Sequence, residues 1–433
     1  MIPLKKILNY IHNDLYFEII CFILLILSVC LQGPYELFTG FVKILTSSGH
    51  LLTDFVYVGG IGAALLNVAL VMILNNILVR LLGVKMSGPV YSALYILAGF
   101  SFFGKTILNI IPIYFGVWLF SKYKHIPVRA LVISLLFSSG ISPLVSLIMF
   151  GIGLPLYASI PLAIICGIVA GFIIPAFSAH TVTFHEGYNL YNSGFAIGVI
   201  SIVFYAILSL FGAKIEPQAL YDNETSIVLL VILIALSVLS IIAALIGEKG
   251  VFKKWLRLHK ASGRLMTDFI REYSVEAVLL NFGIIGLFFT GLCLIFKVPI
   301  NGIIFGTILS NMGLAAFGLH LLNGLPVWVG CAIGILAKKL IGGSLELAFP
   351  EDLSIVVAFI FASCLAPISG KYGPIYGLVA GFIHMCVIPF AILLTGGLNL
   401  YNNGFAAGFE ASILAVCGEQ IFNKEKGGHY AKK

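Results

Sequence analysis

The sequence predicts an all-α transmembrane protein of about 14 spans, some of them re-entrant or broken, arranged as two inverted-topology repeats of about seven spans each. Three observations predict this fold class. The chain is 60% hydrophobic and only 10% charged, uncharged runs of about 20 residues recur almost end to end, and one decapeptide occurs twice. A β-barrel would need short alternating strands instead.

The apolar runs give the candidate spans in chain order. They lie near residues 16–33, 55–83, 86–103, 106–121, 128–150, 156–178, 190–212, 226–247, 275–296, 300–317, 321–338, 354–370, 372–395 and 400–419. The first run follows Lys5 and Lys6 as in a signal peptide, but no small-residue cleavage site comes after it, so we expect a true span. The eight cysteines lie singly in apolar runs, without CxxC or metal spacing, and are expected to be packing residues.

Basic residues cluster at four places, which the positive-inside rule assigns to the cytoplasmic side. The clusters are Lys5 and Lys6, then Lys122, Lys124 and Arg129, then the stretch 249–271, and finally Lys424, Lys426, Lys432 and Lys433. Both termini are therefore expected in the cytoplasm. The span count places Lys338 and Lys339 outside, in a loop that also contains Glu346, Glu351 and Asp352. No basic soluble domain is present to bind nucleic acid.

The central stretch 249–271 mixes bases with Trp255, Leu256 and Leu258. This pattern is typical of an amphipathic segment on the inner leaflet. A solvated basic loop would have the same composition.

An internal repeat covers nearly the whole chain. Residues 189–198 read NLYNSGFAIG and residues 399–408 read NLYNNGFAAG, with eight of ten positions identical. Further matches share an offset of 214 residues or close to it; they pair 48–55 with 262–269, 65–67 with 279–281, 103–116 with 317–330, Pro143 with Pro367, and 167–173 with 377–383. The chain is therefore a duplicated unit.

Two membrane repeats follow from these matches. Residues 1–225 form the first repeat, with its first span and a core at 48–212. Residues 226–433 form the second, with an opening span at 226–247, an amphipathic basic cytoplasmic linker at 248–273, a core at 262–419 and a basic tail.

The span count predicts the orientation of the repeats. About seven spans separate Asp54 from Asp268, an odd number, so the copies are expected to have opposite topology. If 86–103 and 106–121 formed a re-entrant hairpin, the count would fall by two and stay odd. Many secondary transporters have this layout, with the substrate near the midplane where broken helices meet. In architecture alone it resembles the seven-plus-seven inverted-repeat carriers of nucleobases and anions, without their signature motifs.

The paired NLYNxGFAxG motifs resemble something more particular. They are similar to those of a bacterial family of polytopic membrane proteins known only as a domain of unknown function, in which the unit occurs twice. The resemblance covers most of the chain and implies no activity. It implies a multi-pass protein of the bacterial plasma membrane.

The NLYNxGFAxG pair is the first candidate binding site, because helix N-termini attract anions and amide oxygens can ligate Na⁺. Its candidate residues are Asn189, Tyr191, Asn192 and Gly194 in the first copy, and Asn399, Tyr401, Asn402 and Gly404 in the second. Alternatively, Asn192 or Ser193 caps a helix and the glycines allow close packing.

A second duplicated pattern, Phe-Gly followed by Asn-x-x-Pro, joins short apolar runs at 103–112 and 317–326. Short interrupted segments at matching positions point to a transport site, so Asn109 and Asn323 are candidates. Lys105 and His320 are unmatched between the copies and are expected to give charge selectivity. A plain turn with Lys105 reaching the surface explains the pattern equally well.

Prolines at 143 and 367 predict two more broken helices, where Ser139 and Ser363 are expected to line a polar cavity unless the prolines only kink the helices. Asp54 and Asp268 precede apolar runs as N-caps do. Asn67 and Asn281 are matched in apolar runs, where they either join helices or line a pore.

Three ionisable residues are candidates for proton coupling. They are His185, Glu186 and Glu410, of which Glu410 replaces Ile200 of the first repeat. A wet loop in the headgroup region is the alternative for His185 and Glu186. His180 and His185 are five residues apart, which is not a metal-ligand spacing, so no metal is expected.

Together these patterns predict a secondary transporter or facilitator for a small polar or anionic solute, working by alternating access between inverted repeats. Coupling to Na⁺ or H⁺ is left open, and no other cofactor is expected. The alternatives are a membrane-embedded enzyme acting on a lipid-linked substrate through His180, His185 and Glu186, or a channel. Enzyme motifs such as HExxH, GxSxG and the phosphate loop do not occur, so no enzyme is predicted. The expected partners are the lipid bilayer and a small-molecule solute, with a homo-oligomer left open.

Overall fold

The computed structural model describes residues 16–215, 219–341 and 352–422. Within these ranges the chain is helical, and its only extended pairing is an isolated bridge between Thr53 and Leu220. The helices of the first half are α1 (Tyr16–Leu31), α2 (Pro34–Leu45), α3 (Phe55–Gly59), α4 (Ile61–Leu81), α5 (Gly88–Phe100), α6 (Ile107–Lys124), α7 (Val132–Ser138), α8 (Ser142–Phe150), α9 (Leu156–His185) and α10 (Asn192–Leu210).

The second half repeats this order. Its helices are α11 (Ile227–Gly247), α12 (Val251–Leu258), α13 (Phe269–Glu272), α14 (Val275–Ile295), α15 (Gly302–Gly313), α16 (Leu321–Ile341), α17 (Leu353–Phe361), α18 (Ala366–Tyr372), α19 (Pro374–Thr395) and α20 (Asn402–Phe422). The predictions for Lys5, Lys6, Glu346, Glu351 and the C-terminal lysines fall outside the described residues.

Ten helices in the described ranges are long and apolar enough to cross a membrane, which makes this a multi-pass membrane protein. The bent pair α1 and α2, which meet at 116°, would raise the number to 11. The structure therefore supports fewer spans than the roughly 14 expected. The apolar runs at 86–103 and 300–317 form only short helices, Gly88–Phe100 and Gly302–Ala316. A 13-residue helix such as α5 is about 20 Å long and cannot cross about 30 Å of hydrocarbon.

The short helices α5 and α15 form the centre of the fold. Every residue of α15 is buried, and α5 is buried along nearly its whole length. The two helices approach so closely that a Cβ atom on Gly99 would overlap the carbonyl oxygen of Gly306, and the reverse also holds. Glycine is needed at this crossing because any side chain would push the two backbones apart.

Two aspartates connect the short helices to the opposite half. Asp54 caps α3 by accepting from the Val56 N–H at 2.7 Å, and it also accepts from the Gly302 N–H at the start of α15 at 2.9 Å. Asp268 caps α13 in the same way and accepts from the Gly88 N–H at the start of α5 at 2.9 Å. The N-cap prediction is confirmed. Each carboxylate also accepts a hydrogen bond from the backbone N–H that begins a short helix of the other half.

The basic linker contains a short amphipathic helix, α12. Its Val251 and Leu258 are buried, whereas Lys253 and Arg257 are exposed. One side therefore packs on the protein, while the exposed side carries the bases together with the apolar Phe252.

Gly306→Ala should destabilise the fold by about 1–3 kcal/mol, because the new methyl group overlaps the backbone of α5. The measurement is the midpoint of thermal unfolding in detergent. Gly291→Ala in α14 is the control, since nothing lies within 4 Å of its added Cβ. Equal midpoints for the two variants would contradict the close crossing of α5 and α15.

Candidate functional site

The two NLYN segments lie against each other. The Asn189 side-chain amide donates to the Gly404 carbonyl at 2.8 Å, and that of Asn399 donates to the Gly194 carbonyl at 3.3 Å. The rings of Tyr191 and Tyr401 stack with centroids 5.8 Å apart. The contact is reciprocal, because each copy binds the equivalent atom of the other.

Each NLYN segment also binds the broken helix of the other half. A 3₁₀ turn at Ser139–Ile141 interrupts the helix between α7 and α8, and one at Ala362–Leu365 interrupts it between α17 and α18. The Leu400 N–H donates to the Gly140 carbonyl at 2.9 Å, and the Leu190 N–H donates to the Cys364 carbonyl at 3.0 Å. The breaks therefore provide the acceptors that the irregular NLYN backbone needs.

The two Phe-Gly turns reach the same place. Gly104 and Gly318 both have positive φ, at 152° and 106°. A Cβ on Gly104 would lie 2.5 Å from the Leu400 side chain, and one on Gly318 would lie 2.9 Å from the Leu190 side chain. The three duplicated patterns that the sequence singled out separately thus converge, each across the two halves.

Asn192 and Asn402 connect the start of one helix to the end of the preceding helix. The Asn192 amide oxygen accepts from the Thr181 hydroxyl at 2.9 Å and lies 2.9 Å from Nε2 of His185. The Asn402 amide oxygen accepts from the Thr395 hydroxyl at 2.7 Å. Protein donors therefore occupy the oxygens that sequence analysis offered to Na⁺.

Asn109 and Asn323 each close the first turn of a helix. Asn109 and Thr106 form a capping box at the start of α6. At the start of α16, the His320 N–H donates to the Asn323 side-chain oxygen, and the Asn323 N–H donates to Nδ1 of His320 at 3.2 Å. Since Nε2 of His320 meets the Ala261 carbonyl at 2.9 Å, this ring is a neutral donor and acceptor and adds no positive charge.

The serines and asparagines of the remaining duplicated positions are buried and bonded within the protein. The Ser139 and Ser363 hydroxyls donate to the Leu136 and Ile360 carbonyls at 2.7 and 2.6 Å. The Asn67 amide bonds the Ser101 and Lys105 carbonyls, and that of Asn281 bonds the Ala315 and Leu319 carbonyls. The Asn67 and Asn281 contacts fit the helix-joining role.

Lys105 is the ionisable residue at the convergence point. Its side chain is fully buried and its Nζ donates to the Tyr401 hydroxyl. Nζ also lies over two ring faces, 4.7 Å from the centroid of Tyr401 and 5.4 Å from that of Phe100. In the part of the chain that the structure describes, no carboxylate pairs with it. The buried Tyr191 hydroxyl has no hydrogen-bond partner there either. We call Lys105, Tyr191 and Tyr401 the lysine–tyrosine site.

The other ionisable candidates lie apart from one another. His185 is buried at the end of α9, whereas His180 is exposed. Glu186 is half-buried and its carboxylate lies 3.5 Å from the Arg264 guanidinium of the linker. The two residues expected to form a pair therefore contact different neighbours, Asn192 for His185 and Arg264 for Glu186.

Glu410 has a partner that sequence reasoning missed. Both of its carboxylate oxygens lie 3.2 Å from Nδ1 of His384 in α19, and both residues are buried. His384 lies in an apolar run and was not predicted as a site residue. The repeat alignment could have indicated it, because His384 and Glu410 both replace isoleucines of the first half, Ile174 and Ile200.

Ten apolar helices and three duplicated motifs define a multi-pass helical membrane protein in which one unit occurs twice. The chain belongs to the family described as a protein of unknown function (DUF1576), whose model matches it twice, at residues 33–210 and 247–419. Searches of curated proteins and of solved structures gave no match.

Lys105→Met should stabilise the protein in the absence of any ligand, by on the order of 2 kcal/mol, because a buried amine without a carboxylate partner is replaced by an apolar chain of similar length. The second half already has Leu319 at the equivalent position. The measurement is the thermal midpoint in anion-poor buffer, with the exposed Lys338→Met as control. A lower midpoint for Lys105→Met than for the control would show that Lys105 is mainly structural.

Proposed function

We propose that this protein is a secondary transporter or facilitator that moves a small anionic solute by alternating access between two inverted repeats. The observation that carries the proposal is the buried Lys105, which lacks a carboxylate partner among the described residues and lies where three duplicated motifs meet. A buried amine is costly to charge unless it is paired, so an anionic ligand beside Lys105 would be stabilised by the charged form of the amine that it induces.

The surroundings of Lys105 favour an anion over a neutral solute. The NLYN segments begin α10 and α20, helices of 19 and 21 residues, whose first turns carry partial positive charge. The Tyr191 hydroxyl adds a donor without a partner. The site therefore combines one amine, one free hydroxyl and two helix N-termini, a set of donors that suits a carboxylate or an oxyanion.

The reciprocal contacts support a two-fold relation between the halves, which an inverted arrangement requires. Asn189 with Gly404 mirrors Asn399 with Gly194, and the bond from Leu190 to Cys364 mirrors the one from Leu400 to Gly140. Two equivalent sets of bonds allow one set to break while the other is kept. Two states of similar free energy, open to opposite sides, are what alternating access requires.

The test is uptake into proteoliposomes of labelled phosphate, sulfate, nitrate and succinate, each offered alone. We expect saturable uptake of at least one of these anions by the wild type. Lys105→Met should lower it about tenfold or more, since a hydrogen bond to a charged group contributes about 1.5–3 kcal/mol. Lys338→Met should transport as the wild type does. Anion uptake that is unchanged by Lys105→Met, or uptake of neutral solutes alone, would overturn the proposal.

A further inference from the structure

We propose that His384 and Glu410 form a buried site for one transferable proton, and that this proton is the coupling ion of the transporter. The second part rests on the function proposed above. The first part stands on the geometry of the pair alone.

The geometry fixes where one proton must be. Nε2 of His384 lies 2.9 Å from the side-chain oxygen of Asn403, which can only accept a hydrogen bond. Nε2 therefore carries a hydrogen atom. The opposite nitrogen, Nδ1, lies 3.2 Å from both carboxylate oxygens of Glu410. One proton must lie between Nδ1 and the carboxylate, because without it two acceptors would face each other.

Because both residues are buried, the state with one bound proton is the favoured one. His384 is 0% exposed and Glu410 is 2% exposed. With one proton the pair is neutral as a whole, whether the proton is on the imidazole or on the carboxyl group. Removal of the proton leaves a buried anion, and addition of a second leaves a buried cation, and both are costly. The pair can release its proton readily only when a conformational change brings it into contact with water.

The groups around the pair do not supply a competing charge. The Cys331 and Cys364 thiols are within electrostatic reach of Glu410, and both donate to backbone carbonyls. One turn further along α20, the Tyr372 and Tyr376 hydroxyls donate to the carbonyls of Ala415 and Leu414.

Of the other helices that pack on α20, α9 brings His185 near it. On α9 the His185 ring contacts Phe195 of α10, which in turn stacks on Phe405 of α20. No lysine or arginine forms an ion pair with Glu410 within the described ranges.

The pair is physically connected to the lysine–tyrosine site. Asn403, which holds His384, is two residues from Tyr401, which accepts from Lys105, and it precedes Gly404 at the contact with the first half. A movement of the two halves that displaces the second NLYN segment would change both sites together. The pair exists in the second half only, since the first half has Ile174, Ser193 and Ile200 at the equivalent positions.

A thermal stability series on the full chain in detergent tests proton binding without any solute. The relevant proton is the one between Nδ1 of His384 and the Glu410 carboxylate. Above about pH 6.5, the ordinary pKa of histidine, the unfolded chain does not bind this proton, whereas the folded chain does. Folding therefore takes up a proton, and stability falls as the pH rises, by up to tenfold in the folding constant per pH unit. The wild-type midpoint should fall between pH 6.5 and 8.5 more steeply than that of Glu410→Gln.

Two further variants keep this test decisive. Glu419→Gln changes an exposed acid on the same helix and should keep the wild-type slope. His384→Ile with Glu410→Ile copies the first half, so it should fold even if Glu410→Gln does not, and it should lack the slope. Equal slopes for the wild type and the variants of the pair would overturn the proton site.

Transport in proteoliposomes tests the coupling. With phosphate, sulfate or succinate as the probe, an acid-outside pH gradient should raise wild-type uptake severalfold over uptake without a gradient. In Glu410→Gln this ratio should fall to about one, and Glu419→Gln should keep it. Wild-type uptake that ignores the gradient would overturn the coupling while the transporter stands. A wild type that moves none of the probes would count against the transporter, and the stability series would still decide the proton site.

Discussion

The structure depends on the contact between the two NLYN segments. Each segment is irregular backbone between two helices, and such backbone inside a membrane protein must find hydrogen-bond partners within the protein. The partners come from the opposite half, at Gly140 for Leu400 and at Cys364 for Leu190. In the same way, the Asp54 and Asp268 carboxylates accept hydrogen bonds from the backbone at the starts of α15 and α5 in the opposite half. Each half thus relies on the other for part of its backbone hydrogen bonding, so the two halves stabilise each other.

Comparison of the two copies predicted much of the site but not its connections. It identified Asn189, Gly104 and Ser139 with their counterparts, because matched polar residues and glycines are conspicuous in an apolar chain. It could not predict that Leu400 bonds Gly140. A repeat alignment pairs equivalent positions, whereas hydrogen bonds between the halves such as this one join positions that are not equivalent.

The predicted number of spans exceeds the ten or eleven candidates among the described residues for a related reason. Hydropathy measures how long an apolar run is, but a glycine turn such as the one at Gly104 ends a helix without changing the composition. The run at 86–103 therefore read as a span, although α5 ends at Phe100. The N-caps at Asp54 and Asp268 were predictable because a capping residue acts locally. The capping by His320 was not, since histidine rarely replaces threonine in that role.

The two copies share the backbone contacts that join the halves, whereas the buried ionisable residues of the candidate sites occur where the copies differ. Lys105 stands where the second half has leucine, and His384 and Glu410 stand where the first half has isoleucine. Each of these groups is buried at a cost in stability that a symmetric apolar residue would avoid. Both features meet on one segment, since Tyr401 contacts Lys105 of the first half while Asn403 holds His384 of the second. Separation of the halves would break the Lys105 contact, and a displacement of residues 401–403 would also disturb the Asn403 contact, so under the two proposals an anion and a proton would be linked through this short backbone segment.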